Sequence, residues 1–405
     1  MIPYGSHFLD DDDIDAVVEV LRNGWLTQGP KVAEFEKLVA SYTGANYAVA
    51  VSSGTAGLHL ACLAAGVNED SRVYTSANTF VATANAVLYA GGQPQFCDID
   101  PDTLNMSIDC LEQKFASGEQ INGVIPVHFA GLPCDMARIK SIADQYATFV
   151  IEDAAHAFGA TYLDGSRVGN CKYSDMTVFS LHPVKGVTSG EGGLITTNDE
   201  ALYRHLLSLR SHGICKGNFD FPGISKAGQG DLINLDDALV DGELNPWYYE
   251  MQELGFNYRI TDFQCALATS QVKKAEKFLA RRRELADLYD KLLQGAQAIT
   301  VKQLGTRQQS SLHLYVIEID FEALKMSKGA FMRELASKEI GTQVHYIPVP
   351  FQPYYADKGF HREDFPAAKH YYDRALSIPI YFGLSDEQVE FVVNEISSVV
   401  KAHLS

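Results

Sequence analysis

The stretch TVFSLHPVKGVTSGEGGLITTND (177–199) holds a single lysine, Lys185, hemmed in by Pro183, Val184 and Val187 and followed by Gly190, Gly192 and Gly193. A lysine on a solvated loop is a surface charge. Inside an apolar collar, desolvation disfavours the ammonium form, and a neutral amine can attack an aldehyde or take a proton from carbon. Other residues supply what such an amine would work with. SSGT (52–55) follows the apolar run YAVAV and opens a helix, so hydroxyls and free backbone N–H groups meet at an anion-binding helix start, here Ser53, Gly54 and Thr55. Asp153 closes the strand-like TFVIED (148–153), Phe80 opens a further helix after a strand, and Ser180 ends DMTVFS just ahead of the lysine. Ligands of α/β sheets gather at the carboxyl ends of strands, where all of these lie. A phosphate cradle, an aromatic plate, a carboxylate and a lysine are the parts that pyridoxal 5'-phosphate needs: an anchor, a cover, an acid to keep the pyridine nitrogen protonated, and an amine for the aldehyde carbon.

Each residue also has a plain reading. Lys185 could be an ordinary loop lysine, Asp153 a helix N-cap before AAHAFG, His156 and Phe80 core residues, and Asn257 a turn former. Arg259 could meet a phosphate, a carboxylate or a surface acid. The HLY and VHY stretches (313–315 and 344–346) could be strand residues without a ligand. The DDDD run (10–13) is a solvated helix start and no metal site, since adjacent acids do not share a helix face.

The elements that must position these groups alternate. Strand, polar turn, helix and glycine stop recur through 47–67, 71–100 and 121–162, with near-continuous apolar strands, which predicts a mostly parallel α/β sheet with helices on both faces. No GxGxxG follows a strand, so nothing supports a dinucleotide fold. Ahead of this, 10–22 predicts a helix with acids at its start and an Ile14, Val17, Val18, Leu21 stripe, and 31–44 a second helix ended by glycine. Residues 216–246 form a Gly-, Asp- and Asn-rich excursion, a lid or partner contact. Residues 263–294 predict one long amphipathic bridging helix, and the remainder a smaller α+β domain, which divides the chain into 1–256 and 257–405.

At 405 residues with 46% hydrophobic and 21% charged residues, the chain is an ordinary globular protein. Its 51 acidic against 33 basic residues, a formal net charge of −18, argue against nucleic acid and anionic membrane as partners. Seven scattered cysteines without a CxxC pair point to free thiols, no metal and a reducing cytoplasm. No stretch reads as a signal peptide or a membrane span.

SSGTAGLHL, TSANTFVATANAV, VIEDAAHAFGA, FSLHPVKGVTSGEGG and LGFNYRITDFQCALATSQ, in this order, resemble the DegT/DnrJ/EryC1/StrS family of nucleotide-sugar aminotransferases across essentially the whole chain. The resemblance implies an aspartate-aminotransferase-type fold and a homodimer with shared active sites. It implies that Lys185 bonds the cofactor, Asp153 meets the pyridine nitrogen, His156 faces the ring hydroxyl, Phe80 covers the ring, and Ser53, Gly54, Thr55 and Ser180 hold the phosphate with Asn257 of the other subunit. Family dehydratases carry histidine in place of the lysine, so Lys185 favours transamination. IPYG, GWLTQGPKVAEFE, NPWYYEMQELGFNYR, SLHLYVIEI and QVHYIPVPFQPYY resemble members acting on a UDP-linked 4-keto-6-deoxy-N-acetylhexosamine with L-glutamate as donor and 2-oxoglutarate as product. That narrower resemblance implies Tyr4, Trp25, Leu26, Thr27, His313, Tyr315, His345 and Tyr346 as the sugar-nucleotide site. It departs from the pattern at Gly186, where relatives often carry a bulkier residue. A GDP- or dTDP-linked sugar, a lyase, or a non-catalytic regulator on the same fold are the competing expectations.

Overall fold

The computed structural model describes residues 1–215, 239–240, 243–303 and 307–404. Strands β1 (Tyr47–Val51), β2 (Arg72–Ser76), β3 (Gln93–Cys97), β4 (Gly123–Ile125), β5 (Phe149–Asp153), β6 (Met176–Ser180) and β7 (Gly193–Thr197) form a sheet in the order β1-β7-β6-β5-β4-β2-β3. The run from β3 to β6 is parallel, while β7 is antiparallel to both β6 and β1. Alternation along the strands sends side chains to two apolar layers. One holds Ala48, Ala50, Tyr74, Val124 and Val150 against helices α2 (Pro30–Thr43), α5 (Ile108–Ala116), α6 (Met136–Gln145) and α8 (Asp262–Lys273). The other holds Val49, Val51, Val73, Ile125 and Ile151 against α3 (Gly54–Ala64), α4 (Val81–Tyr89) and α7 (Glu200–Arg210). This is the mostly parallel, two-faced α/β layer that the strand pattern predicts.

Two helices differ from expectation for electrostatic reasons. In α1 (Asp11–Asn23), Asp10 and Asp13 form a capping box, yet the apolar stripe does not turn inward: Ile14 is 52% and Leu21 56% exposed, while Asp13 and Val20 are buried. Asp13 is drawn in by the Lys274 ammonium at 2.7 Å and the Gln271 amide at 2.8 Å. The long helix expected over 263–294 is two, α8 and α9 (Ala275–Leu293), interrupted at that same Lys274 (φ −102, ψ 0).

Short pairs β8 (Ile214–Cys215) with β11 (Glu250–Met251), and β9 (Leu239–Val240) with β10 (Glu243–Leu244), follow α7. The 216–246 excursion otherwise lies for the most part outside the described residues. The last part of the chain builds an antiparallel sheet, β12 (Ile299–Val301), β13 (Tyr315–Ile319) and β14 (Ala375–Ile378), packed on α9, α10 (Lys328–Ser337) and α13 (Asp386–His403). The VHY stretch is no strand: Gln343 pairs with Ser377 in an isolated bridge, and the chain then departs toward the large sheet. α11 (Pro353–Ala356) and α12 (Pro366–Arg374) flank a third apolar cluster, in which Phe96 and Phe129 of the large sheet region meet Leu314, Val349, Tyr355 and Tyr371.

Ile260, Cys265, Ala268 and Val272 belong to the large core, and Leu285, Ala286 and Tyr289 to the small one. We therefore propose a domain division inside α9, with residues 2–4 on the small-domain side, since Ile2 bridges Ile340. Among the described residues, no helix is long and apolar enough to cross a membrane.

Candidate active site

A cavity of about 610 Å³ opens where the carboxyl ends of β5 and β6, the start of α3 and the start of α4 meet the small domain. Tyr4, Ser53, Gly54, Thr55, Phe80, Asp153, His156, Ser180, Lys185, His313, His345 and Tyr346 line it.

Ser53 is the N-cap of α3, its hydroxyl accepting from the Ala56 N–H at 3.1 Å. The N–H groups of Gly54 and Thr55 in that first turn have no intrahelical acceptor and face an anion-binding opening. Close packing holds this turn on the sheet. A Cβ at Gly54 would meet the Ser180 Cβ at 3.0 Å, and one at Gly193 would strike the Ser53 carbonyl oxygen at 2.4 Å. Glycine at both positions is what brings the helix start, the Ser180 hydroxyl and β7 together.

Asp153 ends β5 and is 5% exposed. Its Oδ2 accepts from the Thr83 hydroxyl at 2.7 Å and its Oδ1 from the Ala155 N–H at 3.1 Å. No helix follows it, so it is not an N-cap. Behind it, on the other face of β5, Glu152 is fully buried among four donors: His128 Nε2 and Tyr162 Oη at 2.6 Å, Ser174 Oγ at 2.5 Å and Thr177 Oγ1 at 3.0 Å. His128 Nδ1 accepts from the Cys134 N–H at 3.2 Å, which leaves Nε2–H to donate to the carboxylate. The His128 N–H in turn donates to the Asp153 carbonyl at 3.1 Å, tying this buried network to the strand end.

Lys185 sits in a tight turn, its N–H donating to the His182 carbonyl at 2.8 Å. Burial pulls its ammonium pKa from the ordinary 10.5 down to about 8, against the opposing pull of the Asp153 carboxylate. The next residue, Gly186, has room: a Cβ there would meet only the Phe158 carbonyl oxygen, at 3.8 Å. The glycine that departs from the pattern of relatives is therefore not demanded by crowding.

Three imidazoles surround the lysine. Burial first, then the charge of Lys185, pushes His345 down to about 3 and His156 well below the ordinary histidine value. His313 is likewise held low by burial and by His156, Lys185, Arg282 and His345. His156 Nε2 is 3.0 Å from the Tyr346 hydroxyl, whose ring lies 5.8 Å from that of Phe80. The buried Nδ1 atoms of His156 and His313 have no hydrogen-bond partner among the described residues. His345 is anchored through Nδ1 to Ser377 Oγ at 2.9 Å, and its carbonyl accepts from Tyr371 Oη at 2.7 Å.

The residues present fit pyridoxal phosphate. Hydroxyls and unbound N–H groups gather at a helix start, a buried carboxylate and a depressed lysine stand nearby, and two histidines with orphaned Nδ1 atoms line the same cavity. The family model for the DegT/DnrJ/EryC1/StrS aminotransferases matches residues 8–397. The chain belongs to that family. As a DegT/DnrJ/EryC1/StrS aminotransferase it is a pyridoxal-phosphate enzyme of sugar metabolism. The spore coat polysaccharide biosynthesis protein SpsC of Bacillus subtilis is 36% identical over 402 residues, 99% of this chain and 97% of SpsC. Among solved structures, Helicobacter pylori PseC, an aminotransferase involved in the biosynthesis of pseudoaminic acid, matches with TM-score 0.86 and 27% identity over 99% of each chain. A Streptococcus pneumoniae protein assigned as a sugar aminotransferase, in its PLP form, matches with TM-score 0.86 and 28% identity over 100% of each chain.

Not every expected residue reaches the cavity of this family member. Trp25 and Leu26 stand on the surface, 69% and 53% exposed. Their loop is pinned by a Thr27–Thr261 bridge and by Asp262, whose carboxylate accepts from the N–H groups of Gly29 and Lys31. Asn257 pairs with Ser211 away from the cavity. Tyr315 is corrected outright: it is 1% exposed in the small-domain core, its hydroxyl donating to Asp290 at 2.5 Å, with no surface left for a substrate. The split from His313 follows from where the strand begins: β13 starts only at Tyr315, so the alternation that would have kept residues 313 and 315 on one face does not reach His313. The residue before it, Leu312, has a left-handed backbone (φ 52). Thr83, Gln343 and Gln352 went unforeseen. Only Thr83 carried a signal, three residues after Phe80 on one face of α4.

Proposed function

We propose that this aminotransferase moves the amino group of L-glutamate to C4 of a UDP-linked 4-keto-6-deoxy-N-acetylhexosamine, as a UDP-4-amino-4,6-dideoxy-N-acetyl-β-L-altrosamine transaminase of pseudaminic acid synthesis. The observation that carries the reaction class is Lys185 beside Asp153 in one cavity, the amine depressed to about 8 by burial. The likeness to PseC over its full length supports the sugar assignment.

Ser53, Thr55 and Ser180, with the first N–H groups of α3, hold the cofactor phosphate. With the cofactor bound, Asp153, oriented by Thr83, would keep the pyridine nitrogen protonated, His156 would serve the ring hydroxyl, and Phe80 would cover the ring. When bound, pyridoxal phosphate supplies the aldehyde that accepts an amine and the cationic ring that draws electrons from the adjacent carbon. Lys185 Nζ carries the proton from the donor's α-carbon and returns one to the acceptor's C4, which requires an amine free to be neutral near physiological pH. The two half-reactions alternate, glutamate leaving as 2-oxoglutarate before the keto sugar enters. Tyr4, His313, His345 and Tyr346 face the acceptor.

Trp25, Leu26, Thr27 and Asn257 lie outside this chain's cavity, and we assign them to the cavity of a second copy in a homodimer. The cysteines with described side chains are all free, which supports a cytoplasmic site of action.

The test is a half-reaction. The purified holoenzyme is converted to its amine form with L-glutamate and freed of keto acid. It is then offered 4-keto sugars on UDP, dTDP and GDP while the original cofactor absorbance is followed. Recovery with the UDP-N-acetyl sugar alone supports the assignment; recovery only with another nucleotide replaces the substrate.

A further inference from the structure

Arg282 lies in α9 and is 4% exposed. Among the described residues no carboxylate stands within ion-pair distance of it, so its charge is buried without a counterion. Burying an unpaired guanidinium is costly, and its pKa falls to about 10 for that reason. Its hydrogen bonds explain what the cost maintains. Nη1 donates to the carbonyl of Leu312 at 3.0 Å, of His313 at 3.3 Å and of Ile380 at 3.0 Å.

The first two carbonyls belong to the segment that brings His313 to the cavity, and the third to a residue bonded to the segment that carries Tyr4; His345 and Tyr346 arrive on a separate segment. Leu312, whose backbone is left-handed, immediately precedes His313, which lines the cavity, while Tyr315 opens β13 and stays in the core. A left-handed leucine is strained and persists only where its surroundings over-determine it. Here Arg282 grips its carbonyl from below, and the Ser310 hydroxyl accepts its N–H at 3.0 Å. The adjoining Ser311 hydroxyl donates to the His156 carbonyl at 2.5 Å. Ile380, the third carbonyl, donates its own N–H to the Tyr4 carbonyl at 3.2 Å, so the same guanidinium also braces the segment that carries Tyr4.

We propose that Arg282 is a positioning residue for the acceptor side of the cavity, its guanidinium clamping the Leu312, His313 and Ile380 carbonyls and so setting His313 and Tyr4 against the sugar nucleotide. This rests on the cavity being the transamination site, as proposed above. Arginine is suited to the task by its reach: all three contacts are made from Nη1, which stands one bond further along the side chain than a lysine ammonium would. The clamp also places a fixed positive charge behind His313, which with Lys185, His156 and His345 surrounds that imidazole with groups that oppose its protonation.

The test uses Arg282→Met, which keeps the apolar stem, and Arg282→Lys, which keeps a cation but falls one bond short of the Nη1 position and serves if the methionine variant does not fold. Both half-reactions are measured on the holoenzyme. The acceptor KM is expected to rise on the order of tenfold or more in either variant, with the rate of the glutamate half-reaction changed less than about twofold. Independently of any substrate, the His313 imidazole is titrated by NMR in cofactor-free protein, its resonance assigned by its loss in His313→Gln. Its titration should move up in Arg282→Met and stay low in Arg282→Lys. Equal losses in both half-reactions, with the His313 titration unmoved in the methionine variant, would reduce Arg282 to scaffolding and overturn the proposal. If wild type accepts no keto sugar, the functional reading fails instead, and the His313 titration still decides the role of Arg282.

Discussion

The Thr83 hydroxyl donates to Asp153 Oδ2 at 2.7 Å, linking the first turn of α4 to the end of β5. A hydrogen bond to a charged group is worth about 1.5–3 kcal/mol. Thr83→Val should therefore weaken pyridoxal phosphate binding by roughly tenfold or more, and Thr83→Ser should restore most of it. Cofactor titration followed by absorbance reads this directly. A valine variant that binds as wild type would show that Asp153 needs no orienting partner.

Lys185→Ala should abolish transamination while leaving a folded protein, since the residue sits in a turn with space around its neighbour Gly186. Single-turnover assays with glutamate give the chemical readout and circular dichroism the structural one. Turnover at the wild-type rate would dissociate the lysine from the reaction.

Lys185 also makes a prediction about pH and stability. Its folded pKa of about 8 lies below its ordinary 10.5, so between these values the unfolded cofactor-free chain binds more protons than the folded one. Stability then rises with pH across that window. The difference between wild type and Lys185→Met in urea midpoint should shift in favour of wild type from pH 8 toward 10.5. A pH-independent difference would mean that the amine is not desolvated in the folded protein.

Two glycines near the site should respond in opposite ways. Gly54→Ala places a methyl 3.0 Å from Ser180 Cβ and should loosen the phosphate cradle, visible as weaker cofactor binding. Gly186→Ala meets nothing closer than 3.8 Å and should be neutral, or stabilising by about 0.5 kcal/mol through the unfolded state. Thermal melts and cofactor titrations on both variants check the pair.

Glu152→Ala would leave His128, Tyr162, Ser174 and Thr177 facing a hole. A buried donor left without its acceptor costs about 1–3 kcal/mol. Burial alone would raise the Glu152 pKa, yet the donors around it, His128 foremost, outweigh this and hold it below 4.5. Its contribution is present above that value and is lost as pH falls below it. Acid titration of wild type and Glu152→Ala should converge at low pH, and parallel curves would rule out a charged Glu152.

Much of the site was readable because it is local. Ser53, Phe80, Asp153 and Ser180 each sit at a strand end or helix start, and Lys185 in the turn that follows one, where short-range pattern and ligand geometry coincide. The small-domain residues were harder. His313 and Tyr315 are two apart, but β13 begins only at Tyr315, and the segment ahead of it, with its left-handed Leu312, is held by contacts from distant parts of the chain. The α1 stripe and the helix break at Lys274 failed to follow periodicity for a related reason: one buried ion pair between Asp13 and Lys274 outweighed the apolar pattern. Thr83 was hidden inside a helix of small residues, its function defined by a strand 70 residues on.

The bridge from Ile2 to Ile340 places Tyr4 beside His345, their rings 5.4 Å apart. A cavity wall made from residues 4 and 345 cannot close until the later of them has left the ribosome. The large sheet can condense early, but this wall must wait for the segment around residue 345. A nascent or C-terminally truncated chain would thus retain the phosphate cradle and Lys185 while lacking the wall that distinguishes a keto sugar from water.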